Sequence, residues 1–294
     1  MTQFMPERDT AACNRGAGAA GGEWPAAPLP VYPLSPAYRL HLVLFPASCR
    51  QCGQVMPPAS CLGGGYPFLC DACWRQVPWV PQARSCLRCA SPTAEPERRV
   101  CPVCADRDWA LDGVRAACHY EGHVRRWLLE LKFHHHTALT RLAGLLLAMN
   151  PAAAALLGSG ALVAAVPLHR RRLRRRGFNQ SHLLAHAWSD ILRRNGMAAP
   201  RPAERLLQRH RFTRPQLEIA AAERAQNVAG AFSVPLPRPR RPWTGKRNPA
   251  ASPAGRHVVL VDDIMTTGST LDACARTLKE AGALSVHAVV VARA

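Results

Sequence analysis

Acidic side chains are scarce in this chain. Nineteen Asp and Glu stand against 38 Lys and Arg, a formal net charge of +19 over 294 residues. A deficit of that size points to a polyanionic partner or a phosphate-rich ligand, although arginine-rich codon usage also feeds such a number. Long hydrophobic runs are lacking too. None approaches the roughly 20 apolar residues of a helical membrane span, so no membrane insertion is expected. The N-terminal stretch carries Glu7, Arg8 and Asp9 and has no apolar core after a basic start, which argues against a Sec-type signal. Leu42–Phe45, ahead of Pro46-Ala47-Ser48-Cys49, is too short and too far inside the chain for a lipoprotein cleavage site. Reduced thiols and a cytoplasmic location are the expectation.

What is present divides the chain. Residues 1–36 are rich in Ala, Gly and Pro without periodicity and read as disordered, or as an upstream start not used in the cell, with Cys13 incidental. Residues 37–110 hold four Cys-x2-Cys knuckles: Cys49/Cys52, Cys70/Cys73, Cys86/Cys89 and Cys101/Cys104. A knuckle turns two thiolates onto one metal, and two knuckles complete a tetrahedral site of four cysteines, so a double zinc ribbon with two structural zinc ions is expected. A redox motif would occur once beside a βαβ pattern, not four times in series. Sequential pairing is the simplest arrangement, and interleaved pairing stays open. A closed four-cysteine site has no free position, so these ions carry no catalysis. Cys61, beside Gly63-Gly64-Gly65, is left as a loop thiol.

Residues 111–294 alternate strand and helix patterns. Asp112–Tyr120 and Ala161–Val166 read as strands. The 3.6-residue recurrences of Val124, Trp127, Leu128, Leu131 and of Leu184, Ala187, Trp188, Ile191, Leu192 read as helices, as does Leu139–Met149. His134-His135-His136 reads as a solvated turn, because three consecutive histidines cannot all face one metal. Arg170–Arg176 contains six arginines in seven positions directly after a strand. Ligands bind at the carboxyl ends of strands in open α/β sheets, and guanidinium forks suit phosphate oxygens, so pyrophosphate or nucleic-acid contact competes evenly with a solvated basic surface. The Pro/Arg-rich stretch 235–256 reads as a disordered basic insert.

The most informative stretch is Val258–Thr270: four apolar β-formers, Asp262-Asp263, a Thr/Gly/Ser turn, then a helical pattern through Leu271, Cys274, Leu278 and Ala281. A strand, a small-residue turn and a helix start form a phosphate cradle, with backbone N–H groups and the positive end of the helix dipole turned to an anion. Consecutive strand residues face opposite ways, so both carboxylates meet one ligand only if the strand is already ending at Asp262.

This stretch closely resembles the ribose-phosphate signature of type I phosphoribosyltransferases. The resemblance implies an α/β, Rossmann-like fold with a mostly parallel sheet, binding 5-phosphoribosyl-1-pyrophosphate (PRPP) with Mg2+. Asp262 and Asp263 would hold the ribose hydroxyls as the catalytic pair, and Thr266, Thr267, Gly268, Ser269 and Thr270 would wrap the 5-phosphate. Val166-Pro167-Leu168-His169-Arg170, the later Arg176-Gly177-Phe178-Asn179-Gln180 and the four knuckles together resemble the ComF family, linked to DNA uptake in natural competence. In that layout Leu168, His169 and Arg170 would belong to the pyrophosphate loop, and Arg209–Phe232 to a flexible loop over the site. Three roles follow from the resemblance: an active transferase, a handler of single-stranded DNA within the competence machinery, and a PRPP-responsive regulator. No residue identifies an acceptor substrate.

Overall fold

The computed structural model describes residues 44, 47–56, 68–93, 99–134, 136–158, 160–212, 228–235 and 252–294. Residues 1–36, Cys61, His135, connector residues 213–227 and insert residues 236–251 lie outside the described residues. In chain order the described elements are α1 (Asp71–Arg75), α2 (Pro102–Ala105), β1 (Gly113–His119), α3 (Gly122–Phe133), α4 (Leu139–Ala148), α5 (Pro151–Ala154), β2 (Leu162–Ala165), α6 (Arg170–Arg176), α7 (Gln180–Arg194), β3 (Gln208–Arg209), β4 (Phe232–Ser233), β5 (His257–Met265), α8 (Ser269–Glu280) and β6 (Ser285–Arg293).

Four strands form a parallel sheet in the order β1-β6-β5-β2. The central strands are apolar along their length because both faces are covered. Val259 and Val261 of β5 enter a core shared with Leu128 of α3, Leu145 of α4 and Trp188 of α7. Val258 and Leu260 enter a second core with Leu271, Cys274 and Leu278 of α8. Gly144 of α4 is a contact point between helices: a Cβ there would lie 2.7 Å from the Ala187 Cβ of α7.

The cysteine region is built into both layers. Cys49, Cys52 and Cys73 pack into the first core, whereas Cys86, Cys89 and Cys104 pack into the second. This region also runs along the outer edge of β1. Val80 N–H donates to Ala117 O at 2.9 Å, and His119 N–H donates to Pro78 O at 2.7 Å. At the opposite edge Ala203 N–H donates to Val163 O of β2 at 2.7 Å.

The structure adds detail to three stretches read from the sequence. The ladder of β5 continues past both carboxylates, with Ile264 opposite Ala292 and Met265 opposite Arg293, so the strand does not end at Asp262. The arginine run is a helix, because the His169 side chain accepts from Arg171 N–H at its start and Gly177, at φ 76°, ends it. Residues 252–256, at the C-terminal side of the expected insert 235–256, have defined contacts. Gly255 N–H bonds Gly282 O at 2.9 Å, and the Arg256 guanidinium holds Gly160 O at 2.6 and 2.8 Å. Among the described residues no single helix is long and apolar enough to cross a membrane; α4 and the following turn, a bent pair, pass that test only jointly and are mostly buried.

Candidate functional site

The carboxyl ends of β5 and β2 lie side by side. Ala165 is opposite Val261, and Val166 N–H donates to Val261 O at 3.0 Å, so Pro167, Leu168, His169 and Arg170 leave the sheet beside Asp262 and Asp263. Beyond β5, Thr266, Thr267 and Gly268 turn the chain into α8, which begins at Ser269. The Thr267 and Ser269 hydroxyls are 2.9 Å apart. Gly268 caps the helix at φ 78°, a left-handed conformation that side chains resist. The twelve-residue α8 thereby offers its N-terminus to an anion. The structure thus brings Asp262, Asp263, Thr266–Thr270 and Leu168–Arg170 to one rim.

The two carboxylates hold different partners, as the uninterrupted strand requires. Asp263 is buried and forms an ion pair with Lys132 Nζ, from the last turn of α3, at 2.8 Å. Asp262 accepts from Ser181 Oγ at 2.6 Å and from Asp263 N–H at 2.9 Å. Ser181 stands at the start of α7, whose capping residue Asn179 also ties back to β2 through Val166 O at 3.0 Å. Burial, although incomplete by surface area, and the charge of Asp263 push the Asp262 carboxyl up to about 7, with the Ser181 bond and Lys132 offsetting part of the shift. The raised Asp262 carboxyl is one that a divalent cation would relieve, whereas Asp263 is already neutralised by Lys132. This chemistry fits Mg2+ at Asp262; the uninterrupted strand and the Lys132 pair keep Asp263 from sharing that ion.

The turn before α8 is buttressed from the cysteine region. Arg107 donates to Thr267 O at 3.1 Å and lies 4.2 Å from the centre of the buried Trp109 ring. Trp109 in turn closes over Gly268, where a Cβ would come within 2.5 Å of the indole Cη2. Asp272 of α8 accepts from the Ala110 and Leu111 N–H groups at 2.7 and 3.2 Å.

The eight knuckle cysteines gather sequentially. Cys49, Cys52, Cys70 and Cys73 form one cluster, and Cys86, Cys89, Cys101 and Cys104 the other. Cys52 and Cys70 sulfurs are 3.8 Å apart, as are those of Cys89 and Cys101. That separation matches the edge of a tetrahedron with Zn–S bonds of about 2.3 Å. Burial pushes the Cys70 thiol up to about 12, so a full set of thiolates requires a cation among them. Both clusters could hold zinc.

Helix α6 presents a basic surface with an aromatic ring set into it. Half-exposed Phe212 packs edge-on against His169 at 5.2 Å, with the Arg171 and Arg172 guanidinium carbons 5.5 and 5.7 Å from its centre. Of the connector, the described ends form the β3–β4 stem, where buried Arg209 lies over the Phe232 ring at 5.3 Å. His134 and His136 are exposed, and His136 meets Glu130 at 3.5 Å.

Comparison with known proteins agrees with this geometry. A family model described as "Phosphoribosyl transferase domain" matches residues 202–294. Competence protein F of Haemophilus influenzae is 29% identical over 232 residues, spanning 77% of this chain and 90% of that protein. The chain is a homologue of competence protein F and carries a phosphoribosyltransferase domain. DNA utilization protein YhgH of Escherichia coli K12 is 35% identical over 125 residues, 42% of this chain and 46% of that protein. YhgH of Salmonella typhimurium is 28% identical over 222 residues, 74% and 87% of the two chains. The family's expected double ribbon fits the two four-cysteine clusters, and its type I fold fits the parallel sheet. Ser181, Lys132, Arg107 and Trp109 were not singled out as site residues from the sequence, because each acts on the rim from a distant segment. Only Ser181 had a local signal, its place just inside the Asn179 cap.

Proposed function

We propose that this chain binds PRPP with Mg2+ at the rim formed by β5, α8 and the segment after β2, and that it serves the uptake and handling of transforming single-stranded DNA in the cytoplasm. The observation that carries the ligand reading is the placement of Asp262 and Asp263 in the last stretch of β5, which leads directly through Thr266–Gly268 into the α8 N-terminus. Asp262 would take the ribose hydroxyls, oriented by Ser181, while Asp263, ion-paired with Lys132 on the other face of β5, would hold the strand end in place. Thr266, Thr267, Gly268, Ser269 and Thr270 would take the 5-phosphate through N–H and hydroxyl donors. Leu168, His169 and Arg170 would border the pyrophosphate. Bound Mg2+ would supply charge neutralisation at the pyrophosphate. The DNA role rests on the likeness to competence protein F and to YhgH, and on the arginine face of α6 with Phe212, since basic grooves with stacking rings suit single strands.

A second reading, an active phosphoribosyltransferase, is favoured by the complete acidic pair and phosphate turn. It would displace pyrophosphate at the anomeric carbon, with the Asp262 carboxylate steadying the positive charge that develops on the ribose. Calorimetry with PRPP and Mg2+ tests the shared core of both readings. Wild-type protein should bind, and Asp262→Ala/Asp263→Ala should lose at least tenfold in affinity; a wild type that does not bind overturns both. Pyrophosphate release with candidate bases or amines then separates the readings, since a binder without turnover releases none.

A further inference from the structure

Helix α7 carries a pair of imidazoles that the rim does not use. His182 and His186 stand one turn apart with ring centroids 4.5 Å from each other. Glu204 comes to them from the segment that Ala203 fastens to the outer edge of β2. One ligand atom from each of the three residues lies within 4.8 Å of the others. The His186 Nε2 atom is closed off from solvent and has no hydrogen-bond partner among the described residues. A buried ring nitrogen left without a partner is destabilising, and a bound cation would satisfy it.

We propose that His182, His186 and Glu204 form a third metal site, for a borderline divalent ion such as Zn2+, separate from both cysteine clusters. Histidines at i and i+4 on a helix converge on one point, the spacing that helical zinc sites use. A tetrahedral ion with bonds of about 2.0–2.1 Å needs ligand atoms about 3.3 Å apart. The exposed Glu204 can swing that remaining distance, while the helix already sets the imidazole pair. Three protein ligands leave a fourth position open to water, unlike the closed four-cysteine clusters. The ion would clip α7, which carries the Ser181 hydroxyl to Asp262, to the segment leading into β3.

The test uses the full chain, first loaded with two zinc ions and freed of excess metal, then titrated with Zn2+ alone by calorimetry. Wild type should take up one further ion. His182→Ala/His186→Ala should take up none, and the His134→Ala/His136→Ala control should behave as wild type. Glu204→Gln, which leaves the packed helix untouched, should weaken the extra ion at least tenfold and covers the case in which the double histidine variant fails to fold. No further uptake by wild type, an unchanged Glu204→Gln, or loss of the extra ion in the control would each overturn the proposal.

Discussion

Gly268→Ala separates two physical costs at the turn before α8. The first is conformational: the position sits at φ 78°, where a residue with a Cβ loses about 1–2 kcal/mol. The second is steric. The new methyl would meet the Trp109 Cη2 at 2.5 Å and Cζ3 at 2.8 Å, distances that force something to move. Overpacking of this kind costs about 1–3 kcal/mol, which puts the whole substitution at about 2–5 kcal/mol. The Met265 Cε, 2.6 Å away, is the end of a flexible chain and can yield. Trp109→Phe removes the second ring, and with it both indole atoms in the clash. A double-mutant cycle followed by urea unfolding should therefore show a coupling of about 1–3 kcal/mol, with Gly268→Ala milder in the Trp109→Phe background. The residual conformational cost should persist in both backgrounds. If the two substitutions simply add, within about 0.5 kcal/mol, then Trp109 does not confine Gly268 and the buttressing of the turn by the cysteine region is wrong.

The raised Asp262 carboxyl has a pH signature. Between the ordinary carboxylate range and about pH 7 the folded chain holds a proton that the unfolded chain has released, so this group withdraws stability as pH rises through that window. Asp262→Asn should accordingly raise the melting temperature at pH 8 more than at pH 5, and an equal shift at both would refute the assignment. Metal analysis of purified protein should find a zinc ion in each cysteine cluster; Cys70→Ser should lose the first and keep the second, whereas loss of both would contradict the sequential grouping. Replacing Arg171, Arg172 and Arg175 of α6 by Gln should weaken single-stranded DNA binding and flatten its salt dependence by about two units of slope on a log–log plot. Unchanged affinity would remove α6 from the interface.

Much of the layout was legible because it depends on local pattern. Val258–Val261 could be read as a doubly covered strand, and the Thr266–Thr270 turn as a helix start, from residue types alone. The knuckles paired as their order suggested, since each is a tight turn that reaches its nearest neighbour. The length of β5 was less legible: Asp262 and Asp263 are poor strand formers, yet the ladder to β6 carries them, a tertiary override of propensity. The arginine run shows the converse. It has no apolar period to announce a helix, but arginine tolerates helices well and the caps at His169 and Gly177 supply the boundaries. Lys132 and Trp109 reach the rim only once α3 and the cysteine region have docked on the sheet, and no single sequence carries that distance. His182 and His186 were readable as a spacing, but Glu204 becomes their neighbour only through the β2 edge.

That edge, and the one opposite, have a colloidal consequence. A parallel sheet of four strands ends in two rows of open hydrogen-bonding groups, which invite pairing with another chain. Here residues 78–80 screen β1 and Ala203 screens β2. The screen on β1 belongs to the stretch of chain between the two cysteine clusters, so metal held in both would guard that border from either side. A chain stripped of metal would expose β1 as a template for its own copies, and its first failure would be clouding of the solution rather than loss of the binding rim.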